Sequence, residues 1–207
     1  MKLRTTEYME KNLTRITLIK KLQDERNDES WNEFIELYEG YIFAIARKMN
    51  FSEADCYDIM QTAFVKIWKK VNTFEHGGNV GQFRRWLAVI TRNAGLNYLD
   101  KRKREQAKHD KFQLDDQMNY LSGFSEPEIE KMADKEWGIY VANQAWNNVK
   151  DGINQTQRSI FEMSLDGKNR TEISETLNIP LNTVSVYKRR VTAVLQKEIK
   201  RLEKTIN

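Results

Sequence analysis

The chain has 207 residues, enough for one or two domains with real cores. Nine glycines and two prolines are too few for a turn-rich all-β protein, and a single cysteine excludes an intrachain disulfide. The net charge of +4 is mild but unevenly spread, and no apolar run approaches the ~18 residues of a membrane span.

Long stretches follow a period of about 3.6 residues, which predicts an all-α fold. The opening MKLRTTEYMEKNLTR lacks the apolar core of a signal peptide. With one cysteine, a reducing, cytoplasmic location is expected, and the Asn-x-Thr triplets at Asn12, Asn154 and Asn169 carry no glycosylation meaning. Residues 14–24 read as a short helix, with Ile16, Ile19 and Leu22 spaced by three. Residues 30–50 read as a stronger one, its face marked by Trp31, Phe34, Ile35, Tyr38, Tyr41, Ile42, Ile45 and Met49. Ser52 and Asp55 form a capping-box-like start. The next helix runs to about Lys70, with Ile59, Ala63, Ile67 and Val71 as its stripe and Cys56 as packing.

A glycine-bearing loop from His76 to Gly81 interrupts the pattern. A fourth helix from Phe83 carries Trp86, Leu87, Ile90, Ala94 and Leu99 into the basic run Lys101-Arg102-Lys103-Arg104. These helices make a first domain over 14–104. Residues 105–125 lose periodicity and gain polar and acidic side chains, which predicts a flexible linker. Ser125-Glu126-Pro127-Glu128 starts a new helix, since proline fits a first turn and acids suit its positive end. Helices near 127–150 and 155–165, together with the remaining C-terminal residues, make a second domain over 126–207.

The most specific stretch of the chain is NRTEISETLNIPLNTVSVYKRRV at 169–191. Asn169 and Glu172 have the spacing of an N-cap and its reciprocal partner. Ile173 and Leu177 share a face, Asn178-Ile179-Pro180 breaks the helix, and a second helix starts near Leu181 with Val184, Tyr187, Val191 and Val194 inward. That layout is a helix-turn-helix, whose second helix fits the major groove of DNA.

Charge is arranged on the same plan. Residues 84–104 hold seven basic side chains against one acid, and 188–201 hold six against one. Between them, residues 110–136 hold eight acids against three lysines. Two basic clusters flanking an acidic connector suit two polyanion-binding modules.

Catalytic chemistry is not apparent. His76 and His109 have no ligand partners at metal spacing, so neither a metal nor a cofactor is expected. Gly77, Gly78 and Gly81 lack the Gly-Lys-Ser/Thr ending of a phosphate loop. Asp115-Asp116 sits in the expected linker, and no nucleophile–base pair is evident, so the chain reads as no enzyme and takes no small-molecule substrate. Phe83-Arg84-Arg85-Trp86-Leu87, close after Phe74, is different. Basic grooves with aromatic platforms hold single-stranded DNA, and apolar wedges replace lost stacking. Trp86 is expected in the core or in a shared role, and the loop residues Asn79 and Gln82 are expected at the surface.

The order of these features resembles an extracytoplasmic-function sigma factor, a small two-domain bacterial transcription initiation factor. SWNEFIELYEGYIFAIARKM resembles the first helix of the promoter-melting domain, and SEADCYDIMQTAFVKIWKKVNTF the helix that docks on the polymerase clamp. FRRWLAVITRNAGLNYLDKRKR resembles the helix facing the −10 element, and TQRSIFEMSLDGKNRTEISETLNIPLNTVSVYKRRVTAVLQKEI at 156–199 the domain that reads the −35 element. The resemblance implies that Asp58, Gln61, Thr62, Phe64 and Trp68 meet core RNA polymerase. It places Phe74, Asn79, Gln82, Arg84, Arg85, Trp86, Arg92 and Asn93 at the −10 element of promoter DNA. Asn182, Thr183, Ser185, Val186, Lys188, Arg189 and Arg190 would face the −35 element. An anti-sigma protein is an implied further partner, membrane insertion is not implied, and the middle domain of larger relatives is missing. The alternative is a stand-alone helix-turn-helix transcriptional regulator.

Overall fold

The computed structural model describes residues 15–24, 28–75, 80–105 and 111–206. Among them are nine α-helices, two short 3-10 turns and no strand, so the expected all-α class holds. Two compact units divide the chain, one reaching Tyr140 and the other spanning Val141–Ile206.

In the first unit, α1 (Arg15–Asp24) buries the expected Ile19 and Leu22, the side chain of Ile16 lying outside the described residues, and α2 (Asp28–Lys48) buries most of the face its spacing marks. Leu18, Ile19 and Leu22 are enclosed, as are Phe34, Tyr38, Tyr41, Ile42, Ile45 and Met49, while Trp31 and Ile35 are half-buried. Asn50 takes a left-handed backbone (φ 66°) that ends α2, a conformation asparagine tolerates better than most residues. Ser52 then caps α3 (Glu53–Lys70), its hydroxyl accepting from the Asp55 N–H at 3.2 Å. Ile59, Ala63, Ile67 and Val71 are buried as one stripe, and Cys56 is packing.

Helix α4 (Val80–Glu105) buries Phe83, Leu87, Ile90, Ala94 and Leu99. It passes so close to Phe51 that a Cβ on Gly95 would lie 2.8 Å from that ring. Glycine is therefore required at this crossing.

The stretch 105–125 departs from the expectation of a linker. Helix α5 (Lys111–Ser122) forms there, buries Leu114 and Leu121, and lends Gln117 to the carbonyl of Asn50 at 3.2 Å. Two leucines seven apart fall on one face but are too sparse to register as a period among the polar residues. Helix α6 (Glu126–Val149) starts where the proline and acids place it, with the Glu128 carboxylate accepting from the Ser125 N–H at 2.8 Å and Oγ at 2.7 Å. Those bonds hold the Glu128 carboxyl below its ordinary range. The unit boundary falls within α6, not at its start.

The second unit holds the end of α6, α7 (Gln155–Leu165), α8 (Arg170–Leu177) and α9 (Leu181–Ile206). Asn154 caps α7 through the Thr156 N–H at 2.9 Å. Gly167, at φ 84°, closes its end, with the Lys168 N–H on the Met163 carbonyl at 3.0 Å. The Asn169/Glu172 capping box is present in full, and Asn178 turns the chain at φ 51°. One apolar cluster is Ile160, Ile173 and Val184, with Leu177 and Tyr187 against it. The other is Ala145, Val191 and Leu195, with Trp146 and Phe161 against it.

Val194, expected inward, is 45% exposed, and Leu195 is buried in its place. After Val191 the inward stripe steps by four rather than three, because the surface it meets there is built by α6. Leu195→Ala should therefore lower stability by about 2 kcal/mol or more, while Val194→Ala stays within about 0.5 kcal/mol. Urea unfolding followed by circular dichroism separates the two, and equal losses would place the stripe wrongly.

Candidate nucleic-acid interface

Helix α9 presents Asn182, Ser185, Val186, Arg189 and Arg190 at spacings of three and four, opposite the buried Val184, Val191 and Leu195. Asn182, Arg189 and Arg190 are exposed, whereas Thr183, Ser185 and Val186 are half-buried. The Arg190 guanidinium lies 5.8 Å from the centre of the Tyr187 ring, which steadies it without covering its charge. Lys188 is exposed on the flank rather than on this stripe. It lines a hollow of about 200 Å3 with Ser164, Lys168, Asn169, Arg170 and Ser185. Arg170 donates to Ser185 Oγ at 3.1 Å across the gap between α8 and α9. Lys168 and Arg170 are additions to the residues expected from the sequence. Their signal is two cations flanking the capping Asn169.

On the first unit, Phe74, Phe83 and Trp86 form one cluster, with ring centres 5.0 to 5.4 Å apart. Phe83 is wholly buried and is core, while Phe74 and Trp86 are half-buried. Gln23 donates to the carbonyls of Val71 and Phe74, each at 2.8 Å, and holds this turn to α1. Gln82, Trp86 and Asn93 succeed one another at spacings of four and seven, so they share a face of α4. Gln82 and Asn93 are exposed there. Asn79 lies outside the described residues.

The arginines expected beside them have partners within the fold. Arg84 lies 4.8 Å from the centre of the Trp137 ring, and burial pulls its pKa down. Arg85 meets Asp134 at 2.9 Å and Glu130 at 3.5 Å, and its hydrogen bond to Asp134 raises its pKa. Arg92 donates to the Leu121 carbonyl at 3.1 Å. Along α4, the exposed polar side chains and the engaged cations therefore occupy neighbouring faces.

Helix α3 shows Tyr57, Asp58, Gln61, Thr62 and Val65 as one exposed stripe. Tyr57 and Val65 are 49% and 54% exposed, and neither stands out in the sequence pattern. Phe64 and Trp68 belong partly to another surface. Their rings pack against Trp31 at 6.1 and 4.9 Å, so they are half-buried in the seam with α2. A polar groove of about 700 Å3 separates Asp58, Gln61 and Thr62 from Asn97, Tyr98, Lys101 and Arg102 of α4. At its edge Tyr98 donates a hydrogen bond to Asp55, and Arg102 lies 3.5 Å from the same carboxylate. Burial acts to raise the Asp55 carboxyl, but Tyr98, Ser52 and Arg102 together hold it below 3.8. Burial and the bond to Asp55 push Tyr98 up to about 12.

Among the described residues no group of His, Cys, Asp or Glu could hold a metal ion, and no helix is long and apolar enough to cross a membrane.

Residues 34–105 match the family Sigma-70 region 2, and residues 153–197 match the bacterial regulatory proteins of the luxR family. No curated protein matches the chain. The two regions define a helical DNA-binding protein of transcription regulation, and both families are non-enzymatic. Together they fit a factor of the sigma-70 family.

Asp55→Asn removes a charged acceptor and should cost about 0.5–1.5 kcal/mol at neutral pH. The Asp55 carboxyl is depressed in the folded state, so its stabilisation is present above its unfolded value of 3.8 and fades as pH falls below it. The gap between the natural chain and the variant should close in acid. A gap that persists unchanged at pH 2–3, read by thermal unfolding, would contradict this role.

Proposed function

We propose that this chain is an extracytoplasmic-function sigma factor that binds core RNA polymerase and directs it to promoters. The observation that carries this reading is the pairing in one chain of a sigma region 2 match with a helix-turn-helix unit. In this reading the second unit holds duplex DNA at the −35 element. Arg189, Arg190 and Lys188, with Lys168 and Arg170 on the flank, contact phosphates and release counterions. Asn182, Ser185 and Val186 face base edges.

The first unit captures unpaired bases of the −10 element on the face of Gln82, Trp86 and Asn93, with Phe74 supporting the aromatic platform. Unstacking costs a few kcal/mol per step, and stacking on protein returns about 1–3 kcal/mol per base. The two nearly cancel, so the protein alone melts DNA poorly. Polymerase supplies the remainder by docking on the α3 stripe of Asp58, Gln61 and Thr62, with Tyr57 and Val65 adding apolar area. Phe64 and Trp68 shape the same helix from its buried side. A cytoplasmic location and restraint by an anti-sigma protein accompany this reading.

A second reading, a stand-alone helix-turn-helix regulator, draws on the luxR-family match at 153–197. It leaves the region 2 match without a task. Repressors of that kind dimerise on palindromes.

Transcription in vitro with bacterial core polymerase over random promoter DNA decides between them. Defined start sites that depend on the chain are expected. A dimer that protects a palindrome and never redirects polymerase would favour the second reading.

Two variant sets refine the roles. Asp58→Ala with Gln61→Ala should weaken capture of core polymerase roughly thirtyfold, since two polar contacts at about 1 kcal/mol each sum to about 2 kcal/mol, and equal capture would misplace the docking stripe. Arg189→Ala with Arg190→Ala should weaken holoenzyme binding to promoters and lower the salt slope by roughly one to two units. An unchanged slope would remove them from the phosphate contacts.

A further inference from the structure

We infer that the acidic stretch C-terminal to α4 covers the basic side of that helix, so that the free chain masks its own strand-binding cations. This rests on the reading of α4 as the strand-binding helix. The charges are segregated on a scale that suits it, with a net positive 84–104 succeeded by a net negative 110–136. They meet in the folded unit at both ends of α4. Near its start, Arg85 reaches Asp134 at 2.9 Å and Glu130 at 3.5 Å, both on the first half of α6. Near its end, Lys103 pairs with Asp115 on α5. Between them, Arg92 is held by the Leu121 carbonyl at 3.1 Å. Arg85 and Arg92 are seven apart, so one side of α4 is occupied along its length by α5 and the first half of α6.

The type of pairing matters more than its existence. A buried ion pair is a structural bond whose rupture strands a charge. These are not buried. The Arg85 side chain is 35% exposed, and Glu130 and Asp134 are 50% and 46% exposed. Exposed pairs are weak and are traded for another anion at little cost. The two terminal nitrogens of Arg85 meet two separate carboxylates, whereas a single phosphate accepts from both at once in the bidentate geometry that guanidinium favours.

Neighbouring contacts have a different character. Arg84 is stacked on Trp137, Tyr41 lies within 3.3 Å of the Ala133 carbonyl, and Tyr140 donates to the Leu37 carbonyl at 2.9 Å. Those contacts seat the first half of α6. The carboxylates of Glu130 and Asp134 add little to that seat, yet they occupy a cation that could otherwise turn to a nucleic-acid backbone. The acidic pair thus lowers the affinity of the free chain for stray nucleic acid. Promoter strands presented at high local concentration by polymerase displace it.

The test uses the full chain and a fluorescein-labelled random single-stranded DNA 20-mer, without polymerase. Arg189→Ala and Arg190→Ala are built into every form so that the second unit adds little. Glu130→Gln with Asp134→Asn keeps shape and removes charge. It should tighten binding roughly three- to fivefold, the range of one or two exposed ion pairs, and steepen the salt dependence. Adding Arg85→Ala should abolish that gain.

If the carboxamide variant binds no more tightly than its parent while Arg85→Ala weakens both equally, Arg85 is used but not masked, and the inference fails. If Arg85→Ala changes nothing in either background, Arg85 is no strand contact and the masking fails, while the reading of α4 through Gln82, Trp86 and Asn93 stands apart from that result. Circular dichroism monitors folding. Should the double variant unfold, Asp134→Asn alone carries the same expectation at about twofold, and no gain there overturns the masking.

Discussion

Phe83 fixes the rotation of α4, and nearly everything the first unit offers to a partner depends on that rotation. Its ring is wholly buried and lies 5.2 to 6.1 Å from those of Phe34, Tyr38, Phe74 and Trp86. Aromatic rings at such spacings gain from both area and edge-to-face geometry. A ring so enclosed cannot swing outward without opening the seam between α2 and α4. With Phe83 inward, Gln82, Trp86 and Asn93 must lie toward the outside, and Arg85 and Arg92 must lie toward α5 and the first half of α6. The close crossing at Gly95 and Phe51 pins the same helix a few turns later. Two contacts far apart along one helix leave it no freedom to roll.

The cations of α4 divide according to this geometry. Arg84 is spent on an aromatic face, as long cationic side chains with planar heads often are. Arg102 is spent partly on Asp55, where Tyr98 shares the carboxylate. Arg85 and Lys103 face carboxylates that remain half in solvent. Lys101 and Arg104 are each 76% accessible at the side chain and, among the described residues, pair along the helix with Glu105 and Asp100. A basic run in the sequence is therefore not a uniform patch in the fold.

The second unit depends on local chemistry to a greater degree. Its helix-turn-helix is built by an N-cap, a left-handed asparagine and a proline whose carbonyl accepts from Thr183 and Val184. Each device acts over three or four residues. Together they set the angle at which α9 leaves α8, and the small cluster of Ile160, Ile173 and Val184 holds that angle. The outward stripe of α9 is then whatever the inward stripe does not use.

The helices of residues 15–105 and 126–206, their capping signals and the helix-turn-helix were legible in the sequence, because periodicity and caps are interactions between residues three and four apart. The exposed stripe of α9 was legible too, as the complement of an apolar stripe, whereas that of α3 was legible only in Asp58, Gln61 and Thr62, since Tyr57 and Val65 join it and Phe64 and Trp68 turn into the seam with α2. Tertiary structure alone decided the rest. It made a helix of 111–122, where two leucines gain stability only by burial against a unit already formed. It put Leu195 in place of Val194, because α6 sets where the stripe must point. It also decided which arginines meet acids or rings and which meet water. The partners of a long cationic side chain lie about 30 to 50 residues away along the chain here, and no local pattern encodes contacts at that separation.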